Sequence, residues 1–360
     1  MKKSNLFMDV HIIQTLPPSN INRDDTGSPK TAQYGGVRRA RVSSQSWKKA
    51  MRKYFKEHTE ASNLGVRSLD IVDYVAKKIM VLDSSKTYEE AMKMAETTIN
   101  NAGVKTAKQK AKALFFMGNT QAENLAKASL EGTDKKELKS ILKENPAIDI
   151  ALFGRMVADD SNLNEDASSQ VAHAISTHAI DQEFDFYTAV DDLTEEESNA
   201  GAGMLGTIEF NSSTLYRYAN VAVHELYRQL KDGEATVNTL QLFIEAFVKS
   251  LPTGKVNTFA NQTIPQMVLL TLRSDRPVNL VSAFEKPIRS TEGYVDKSIK
   301  NLFEEYKKVE KFVDKPVFTA FVSTEDLDFA TDEIEEEESI DQLLEVFRGK
   351  VEENLAEDGE

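Results

Sequence analysis

Residues 30–56 read KTAQYGGVRRARVSSQSWKKAMRKYFK. Ala40 to Val42 predicts a short strand, and the polar run Ser43 to Ser46 offers N-cap candidates for a helix that continues to about His58. At about 100° per residue, the residues after Ser46 separate into two faces. The apolar face holds Trp47, Ala50, Met51, Tyr54 and Phe55, and the cationic face holds Lys48, Lys49, Arg52, Lys53 and Lys56. This pattern predicts an amphipathic helix that packs on a core and turns its charges outward.

The basic residues of this stretch have no acids beside them. Between Thr26 and Lys56 there are nine basic residues and no acidic one. Solvated helix faces usually mix the two signs, because like charges four residues apart repel each other. An ordinary solvated face, compensated by a distant acidic surface, is the alternative. The pattern favours a surface that binds a polyanion.

The residues before the predicted helix point to phosphate in particular. A helix that begins within Ser43 to Ser46 presents free backbone N–H groups and a partial positive charge there. Arg38, Arg39 and Arg41 offer the bidentate contacts with phosphate that lysine cannot make, and Gly35-Gly36 allows another backbone to approach closely. Together they predict a phosphate track rather than a surface that reads bases.

The net charge of −14 argues against a nucleic-acid partner only as an average. Residues 325–360 hold 16 acidic and two basic side chains, so this segment accounts for the whole excess, and residues 1–324 are balanced. The chain has no cysteine, which excludes disulfides, thiolate nucleophiles and cysteine zinc sites and fits a reducing compartment. No apolar run has the length of a membrane span, so we expect a cytoplasmic protein.

Strand and helix patterns alternate along the chain. Residues 5–16 predict a first strand that ends at Pro17-Pro18, and a polar loop follows as far as Gly35-Gly36. Residues 65–145 are rich in helix formers almost throughout. The predicted helices of this insertion are 67–82, 87–100, 105–117, 119–130 and 134–144.

The second half of the chain has a mixed character. Strands are predicted at 169–180, 204–223, 266–272 and 316–323, and helices at 236–250 and 294–311. Thr194 to Gly206 is polar and glycine-rich and predicts a flexible loop. In the acidic tail, Leu343 to Val351 predicts a short amphipathic helix, with solvated chain beyond it. Mixed strands around a helical insertion indicate an α+β fold.

Enzymatic interpretations find little support in the motifs. Residues 201–206 match G-x-G-x-x-G, but they do not follow a strand and open a helix, so we interpret them as a loop. His173 and His178 are five residues apart, which is poor spacing for a metal pair. Asp24-Asp25, Asp159-Asp160 and Asp191-Asp192 have the chemistry to bind Mg²⁺, although adjacent aspartates in loops commonly form turns. A metal-dependent ribonuclease using Asp24 or Asp25 is therefore the alternative function.

Longer blocks of the sequence resemble a known family. The blocks are Asn22–Asp25 (NRDD), Gly35–Arg52, Asp149–Met156 (DIALFGRM), Ala172–His178 (AHAISTH), Tyr187–Asp192 (YTAVDD), Tyr216–Asn220 (YRYAN) and Ala283–Lys286 (AFEK). In this order they resemble the CasC family, the repeated RNA-binding backbone subunit of the type I-E CRISPR Cascade complex. They span most of the chain.

The resemblance implies a hand-shaped molecule with an RRM-like (ferredoxin-like) palm, a helical finger domain and a protruding thumb loop. On this chain the palm would comprise residues 1–60 and 148–325, the finger 61–147, the thumb about 181–210, and the acidic segment 326–360. It also implies a non-catalytic subunit without cofactor or metal, bound to guide RNA (crRNA) beside further copies of itself and other Cascade subunits. Each thumb would displace a base at regular intervals, and the remaining guide bases would pair with target DNA.

The resemblance also assigns individual residues. Asn22, Arg23 and Lys30 would lie on the RNA path, and Ser43, Gln45, Lys48, Lys49 and Arg52 match the main phosphate-contacting block. Met156 would lie near the displaced nucleotide, and Phe186, Tyr187 and Thr188 at the thumb base, where an aromatic ring can wedge between bases. Without the resemblance, core packing is the simpler interpretation of Met156 and Phe186.

Two features depart from the family pattern. Val37 stands where relatives can carry a basic residue, so one phosphate contact is in doubt. The glutamate-rich tail has no counterpart in the pattern, and an interaction protein that works through this tail is a third hypothesis.

Overall fold

The computed structural model describes residues 5–157, 160–190, 201–327 and 334–357. The N-terminal elements are β1 (Phe7–Ser19), β2 (Thr31–Tyr34), β3 (Val37–Val42) and α1 (Ser44–His58). β1 is the central strand and is antiparallel to both of its neighbours, so that Val10 lies opposite Ala219 on one side and Leu270 on the other. Because both faces of β1 are covered, its sequence is mostly apolar on both, and the polar Asp9, His11 and Gln14 within it are buried as well.

β1 does not end at the two prolines, contrary to the prediction. It continues through Pro17-Pro18 to Ser19, with a shift of register after Leu16. Its pairing with the strand on the other side has already ended at Ile13. The prolines therefore lie where β1 has a single neighbour, which is where a missing backbone N–H is tolerated.

The predicted polar loop before Gly35 contains β2. β2 and β3 form a hairpin in which Tyr34 lies opposite Val37. Gly35 and Gly36 form its two-residue turn with φ of +60° and +77°, the left-handed conformation that such turns require.

The insertion contains β4 (Gly65–Ser68), α2 (Ile71–Leu82), α3 (Tyr88–Asn101), β5 (Thr106–Ala107), β6 (Lys110–Ala111), β7 (Phe115–Gly118), α4 (Asn119–Glu131) and α5 (Lys135–Lys143). The helices agree with the prediction except over 105–117, where the chain forms strands. β7 pairs with β4, and Phe115 and Met117 are buried. This pairing overrides the helix propensity of the lysine- and alanine-rich segment.

The buried apolar residues of the insertion form a cluster of their own, built mainly from α2, α3 and α4. This arrangement is consistent with a finger that has its own core, although the predicted boundaries at residues 60 and 147 stay predictions.

The rest of the chain forms α6 (Ile148–Phe153), β8 (Ser169–Val171), β9 (Ala174–Ser176), β10 (Glu183–Val190), β11 (Gly201–Ala222), α7 (Val223–Leu230), α8 (Gly233–Lys249), α9 (Val256–Phe259), β12 (Met267–Arg273), α10 (Val295–Val309), β13 (Phe318–Ser323), β14 (Glu335–Glu336) and α11 (Ile340–Glu357). The main sheet has the order β14-β13-β12-β1-β11-β9-β3-β2, and β8 and β10 also pair with β11.

Helices cover both faces of this sheet. One core joins Met8, Val10 and Ile12 to residues of α1, α8 and α11. A second core on the other face joins Ile13 and Tyr216 to residues of α10 and of the 3₁₀ turn Leu280–Phe284. The α+β class is confirmed. The RRM-like description of the palm stays a prediction.

β10 and β11 form a long hairpin, with Glu183 opposite Phe210 at its base. Residues 201–206, predicted as part of a flexible loop, belong to strand β11. Residues 194–200 of that predicted loop lie outside the described residues. A strand at 201–206 rather than a helix start agrees with our rejection of a dinucleotide site.

The acidic C-terminal segment ends in a helix that packs on the body. Leu343, Phe347 and Val351 are fully buried in the core shared with α8. The helix is therefore longer than predicted, and its apolar face is part of the core on the α8 side of the sheet. Among the described residues, no helix has both the length and the hydropathy that crossing a membrane requires.

Candidate nucleic-acid interface

The loop between β1 and β2 connects three parts of the molecule. The Asn20 amide donates to the backbone oxygens of Gly27, at 3.0 Å, and of Glu209 in β11, at 2.8 Å. The Asn22 side-chain oxygen accepts a 2.8 Å hydrogen bond from the backbone N–H of Ser43, the N-cap of α1. Gly254 packs so closely that a Cβ there would lie 2.2 Å from the Ile21 oxygen. The loop therefore fixes α1, the β10–β11 hairpin and the segment after α8 relative to one another.

A groove of about 600 Å³ opens beside this loop. Its lining comes from the loop, from the outer side of α1 and from the segment that follows α8. The charged lining residues are Arg23, Asp24, Lys49, Lys53, Glu57 and Lys249, and the polar ones include Asn22, Ser46, Thr253 and Gln262. Four of the lining residues are cations and two are carboxylates, and Lys249 is also paired with Glu245 at 3.0 Å.

Helix α1 is seated by its apolar face as predicted. Trp47, Met51 and Phe55 are fully buried. Beneath them, the Arg217 guanidinium of β11 lies 3.8 Å from the centroid of the Trp47 ring, and it donates to the Gln14 side chain and the Phe247 backbone oxygen. Burial lowers the pKa of Arg217 to about 9. This arrangement ties the orientation of α1 to the sheet.

The cations of α1 do not form one continuous face. Lys49 and Lys53 are exposed in the groove, where Lys53 lies 3.7 Å from Glu57. Lys48 points to the other side, with its Nζ 5.5 Å from the Phe153 ring centroid, and burial lowers its pKa. The predicted single cationic face is thus divided in two.

Arg52 is also turned away from the groove. Its Nε lies 3.2 Å from the buried Asp149 carboxylate, and its guanidinium stacks 4.4 Å from the Phe116 ring centroid. The other Asp149 oxygen accepts from the Gly65 backbone N–H at 2.9 Å. Arg52 therefore joins α1 to the insertion, and as placed here it does not support the predicted phosphate contact.

Arg39 is the clearest correction. Its side chain is 0% exposed, and its guanidinium donates to the backbone oxygens of Tyr34, Ser176 and Phe284. Gly35 allows a close backbone approach as predicted, but the backbone is that of Glu285 in the same chain. Both residues hold the β2–β3 hairpin against the body. We remove Arg39 from the predicted phosphate track, since its donors are occupied.

Arg38, Arg41 and Lys30 are not buried as Arg39 is. Arg38 is exposed and donates to Gln182, just before β10. Arg41 donates to His173 Nδ1 at 3.1 Å. Burial, followed by the charges of Arg41 and Lys30, lowers the pKa of His173. Arg38 therefore lies near the base of the β10–β11 hairpin, whereas Arg41 and Lys30 lie near His173.

At the start of α1, Ser43 acts as a cap rather than as a phosphate ligand. Its hydroxyl is buried and accepts from the Ser46 N–H at 3.3 Å. Gln45 is exposed beside it. The amides of Ser44 and Gln45 belong to the first turn, where a helix supplies no acceptors of its own, so the predicted phosphate seat rests on them.

The β10–β11 hairpin carries exposed aromatic residues. Phe184 and Phe186 are 67% and 66% exposed and, being two residues apart, share one face of β10. Tyr187 lies on the opposite face and covers Gly206, where a Cβ would meet its ring at 2.4 Å. Thr188 is exposed next to them. Phe186 is therefore available for stacking, whereas Tyr187 packs across the hairpin.

Met156 is 84% exposed. Its neighbour Arg155 is buried and donates to the backbone oxygens of Leu163, Phe116 and Leu142. Core packing is thus the wrong interpretation of Met156, as it is of Phe186.

Asp24 is committed to its own turn. One of its oxygens accepts from the N–H and hydroxyl of Thr26 and from the N–H of Ser28. The hydrogen bond from the Thr26 hydroxyl makes the largest contribution to lowering the pKa of Asp24. Within the described residues no three His, Asp or Glu side chains come together as a metal site. The interpretation of Asp24 as a turn-forming residue is supported. Among the described residues, no group of metal ligands comes together around Asp25.

Sequence reasoning missed several residues of the interface. Lys249 and the turn Leu251 to Gly254 line the groove, and Phe184 doubles the exposed aromatic surface of β10. The Pro252-Thr253-Gly254 run was a visible turn signal, and the spacing of Phe184 and Phe186 was a visible strand pattern. Neither sequence pattern shows which part of the folded molecule the turn or the strand will lie against.

Comparisons with protein families, solved structures and curated proteins show what this chain is similar to. A family model described as CT1975-like protein matches residues 8–346. A chain of a solved structure named CRISPR RNA-guided surveillance complex, pre-nicking, is 30% identical, with a TM-score of 0.85 over 96% of this chain and 100% of that chain. A chain of a CRISPR RNA-guided surveillance complex is 27% identical, with a TM-score of 0.64 over 96% and 99%. No curated protein matches the sequence.

Proposed function

Because the chain belongs to the CT1975-like family, we propose that it is an RNA-holding backbone subunit of a CRISPR Cascade complex. In this proposal several adjacent copies hold one guide RNA by its sugar-phosphate backbone. The similar solved chains are parts of CRISPR RNA-guided surveillance complexes, which supports this assignment. The sequence blocks that resemble CasC lead us to propose the type I-E form.

The observation that carries the proposal is the cationic groove beside α1. Arg23, Lys49, Lys53 and Lys249 converge on it from three different segments. Lysine and arginine side chains around an open groove contact phosphates without reading sequence. Arg38, exposed beside Gln182 just before β10, supplies a further cation near the base of the β10–β11 hairpin.

The β10–β11 hairpin supplies the second element of the proposal. Phe184 and Phe186 present exposed rings on one face of β10, and stacking of bases on such rings is tolerant of sequence. The Asn20 hydrogen bond to Glu209 holds this hairpin to the same loop that forms the groove. We propose that the backbone lies in the groove while a ring of a neighbouring thumb separates bases at intervals. The remaining bases would stay open to target DNA.

The test is the RNA content of the purified complex. Lys49→Glu/Lys53→Glu should lose guide RNA and should fail to assemble, because it replaces two attractive charges with two repulsive ones. Lys300→Glu/Lys307→Glu on α10 makes the same change of net charge on the opposite side of the sheet and should retain both. Equal RNA retention and assembly by the two variants would contradict the proposal.

We also propose that the subunit acts without catalysis. Its support is that the Asp24 carboxylate is used within its own turn. Labelled guide RNA incubated with the protein and Mg²⁺ or Mn²⁺ should remain intact. Cleavage that disappears in Asp24→Ala would establish the ribonuclease alternative instead.

A further inference from the structure

Arg217, beneath α1, is a buried positive charge that no carboxylate compensates in the described part of the chain. It is 1% exposed, and its guanidinium carbon lies 3.8 Å from the ring centroid of Trp47 and 4.5 Å from that of Phe247. Its terminal nitrogens donate to the Gln14 side chain and to the Phe247 backbone oxygen, which are both neutral acceptors. Burial lowers the pKa of Arg217 to about 9, so the guanidinium remains charged at neutral pH.

The other buried arginines differ from Arg217 in this respect. Three of them lie among the described residues, and each has a carboxylate as a partner or neighbour: Asp9 at 3.6 Å from Arg273, Glu165 beside Arg155, and Glu285 beside Arg39. A buried charge is costly unless an opposite charge pairs with it. The rings of Trp47 and Phe247 offset part of that cost by cation–π attraction, but they leave the net charge in place. A counter-ion from outside the described side chains would compensate Arg217.

Two hydrogen-bond donors at this contact also lack an acceptor. The Nε–H of Arg217 and the indole N–H of Trp47 are buried, and neither has a hydrogen-bond partner in the part of the chain that the structure describes. Leaving such a donor unsatisfied is destabilising. A water molecule would accept from these donors and leave the charge uncompensated, whereas an anion would do both. The two donors together with the charge therefore favour an anion.

Two further polar side chains lie on the segments around this contact. Ser250 follows α8, three residues after Phe247, and its buried hydroxyl has no partner among the described residues. Asn261 is fully buried, and within the same residues neither its amide nitrogen nor its oxygen has a partner. Asn261 lies two residues before Thr263, whose backbone oxygen accepts from the Gln14 amide at 3.0 Å. Both side chains therefore add unused donors to the region around Arg217.

Burial and charge define the ligand. Trp47 and Asn261 are fully buried, so a phosphate of an RNA chain in the groove does not reach them while α1 keeps its position. One positive charge calls for one negative charge, and a spherical ion accepts hydrogen bonds from every direction. Ser250 also lines the groove and marks the side from which a small ion would enter. We propose that a small monovalent anion, chloride or another halide, binds beside Arg217 and Trp47 and stabilises the seat of α1.

Trp47 is the one tryptophan of the chain, so its fluorescence reports directly on this site. The full chain is titrated with bromide, whose heavy atom quenches indole fluorescence on contact, while gluconate is withdrawn to keep the ionic strength constant. Quenching should follow a saturable curve, and chloride should compete with bromide. Because the ion binds the folded chain only, chloride should also raise the midpoint of thermal unfolding progressively as the site fills.

Two variants supply a carboxylate in place of the ion. Gln14→Glu introduces it where an oxygen already accepts from Arg217, so both the bromide response and the chloride-dependent midpoint should be lost. Asn261→Asp changes a side chain that has no partner to lose among the described residues, and it should abolish both responses as well. It carries the test if Gln14→Glu folds poorly. Gln170→Glu, exposed on β8, is the matched charge control and should respond like the parent.

Three results would overturn the inference. A parent chain without saturable quenching and without a chloride-dependent midpoint would show that water alone occupies the region. Equal responses in the parent, Gln14→Glu and Asn261→Asp would place the ion elsewhere. Loss of the response in Lys49→Glu/Lys53→Glu would assign the ion to the lysines of the groove. Failure of RNA binding would leave this inference standing, because it does not rest on the proposed function.

Discussion

The Arg217 guanidinium lies 3.8 Å from the ring centroid of Trp47, beneath the helix that presents Lys49 and Lys53 to the groove. Trp47 is the one tryptophan of the chain. The pair joins β11 to α1 without a surface-exposed contact, since both residues are almost fully buried. The position of α1, and with it the shape of the groove, therefore depends on an interaction that is buried beneath the surface.

The first prediction is that Arg217→Met loosens α1. Removal of the guanidinium leaves the Gln14 and Phe247 oxygens without their donor, at a cost of about 1–3 kcal/mol for each buried acceptor. Urea unfolding and the fluorescence of Trp47 measure the effect. The matched change Arg228→Met breaks an exposed pair with Glu225 and should cost about 1 kcal/mol or less. Equal stability of the two variants would contradict the role of Arg217.

The second prediction separates Arg52 from the groove lysines. Arg52→Ala leaves Asp149 buried without its cation and should destabilise the protein by about 3–5 kcal/mol. Lys53→Ala should leave stability nearly unchanged and weaken RNA binding. Thermal unfolding and RNA titration of both variants provide the measurements.

Acidification should reduce the loss of folding stability that Arg52→Ala causes. Burial raises the pKa of Asp149, and Arg52 is the main cause that opposes this. Without Arg52 the folded protein binds a proton more tightly than the unfolded chain, so its stability rises as pH falls. A cost that is the same at acidic and alkaline pH would show that Asp149 is not the group involved.

The third prediction concerns Asp9, which is buried on the α10 side of the sheet and accepts a 2.7 Å hydrogen bond from Tyr218. Burial raises its pKa to about 7. The protonated folded form is favoured, so this contribution to stability is complete below the unfolded pKa and is lost as pH rises to about 7. The expected slope is at most about 1.4 kcal/mol per pH unit. Asp9→Asn should lack this slope in unfolding measurements, and an identical pH profile would contradict the assignment.

The fourth prediction tests the exposed ring of Phe186 on β10. Phe186→Ala should leave stability unchanged because the ring is exposed, and it should weaken stacking by about 1–3 kcal/mol for each base that it contacts. A fluorescent adenine analogue placed along the guide RNA reports unstacked positions. The parent complex should show bright positions at regular intervals, and Phe186→Ala should flatten this pattern. Phe312→Ala, which removes another exposed ring on the α10–β13 connection, is the control; flattening by it as well would refute a specific role.

The sequence predicted the positions of helices and strands better than it predicted which way individual side chains point. The apolar spacing of Trp47, Met51 and Phe55 correctly placed the buried face of α1. The same wheel could not show that Lys48 lies near Phe153 or that Arg52 meets Asp149, because those partners come from residues about 100 positions away. Charge alone likewise could not separate exposed Arg38 from buried Arg39, which alternate along β3.

Tertiary pairing explains the other errors. Residues 105–117 have helical composition, but β4 and α3 supply partners that favour strands there. The acidic tail was expected to form a short amphipathic helix with solvated chain beyond it, yet the helix runs from Ile340 to Glu357 and Phe347 packs near Phe318 in the core shared with α8. In each case the local composition was correct for an isolated segment, and contacts distant in sequence decided the outcome.

The groove beside α1 is tested most directly by the salt dependence of guide-RNA affinity in the parent and in Lys49→Ala. The account predicts a steep loss of affinity with salt in the parent. In Lys49→Ala the log–log slope should be shallower by about 0.7, which corresponds to one phosphate contact with single-stranded RNA. An unchanged slope and affinity in Lys49→Ala would contradict the placement of the RNA backbone in this groove.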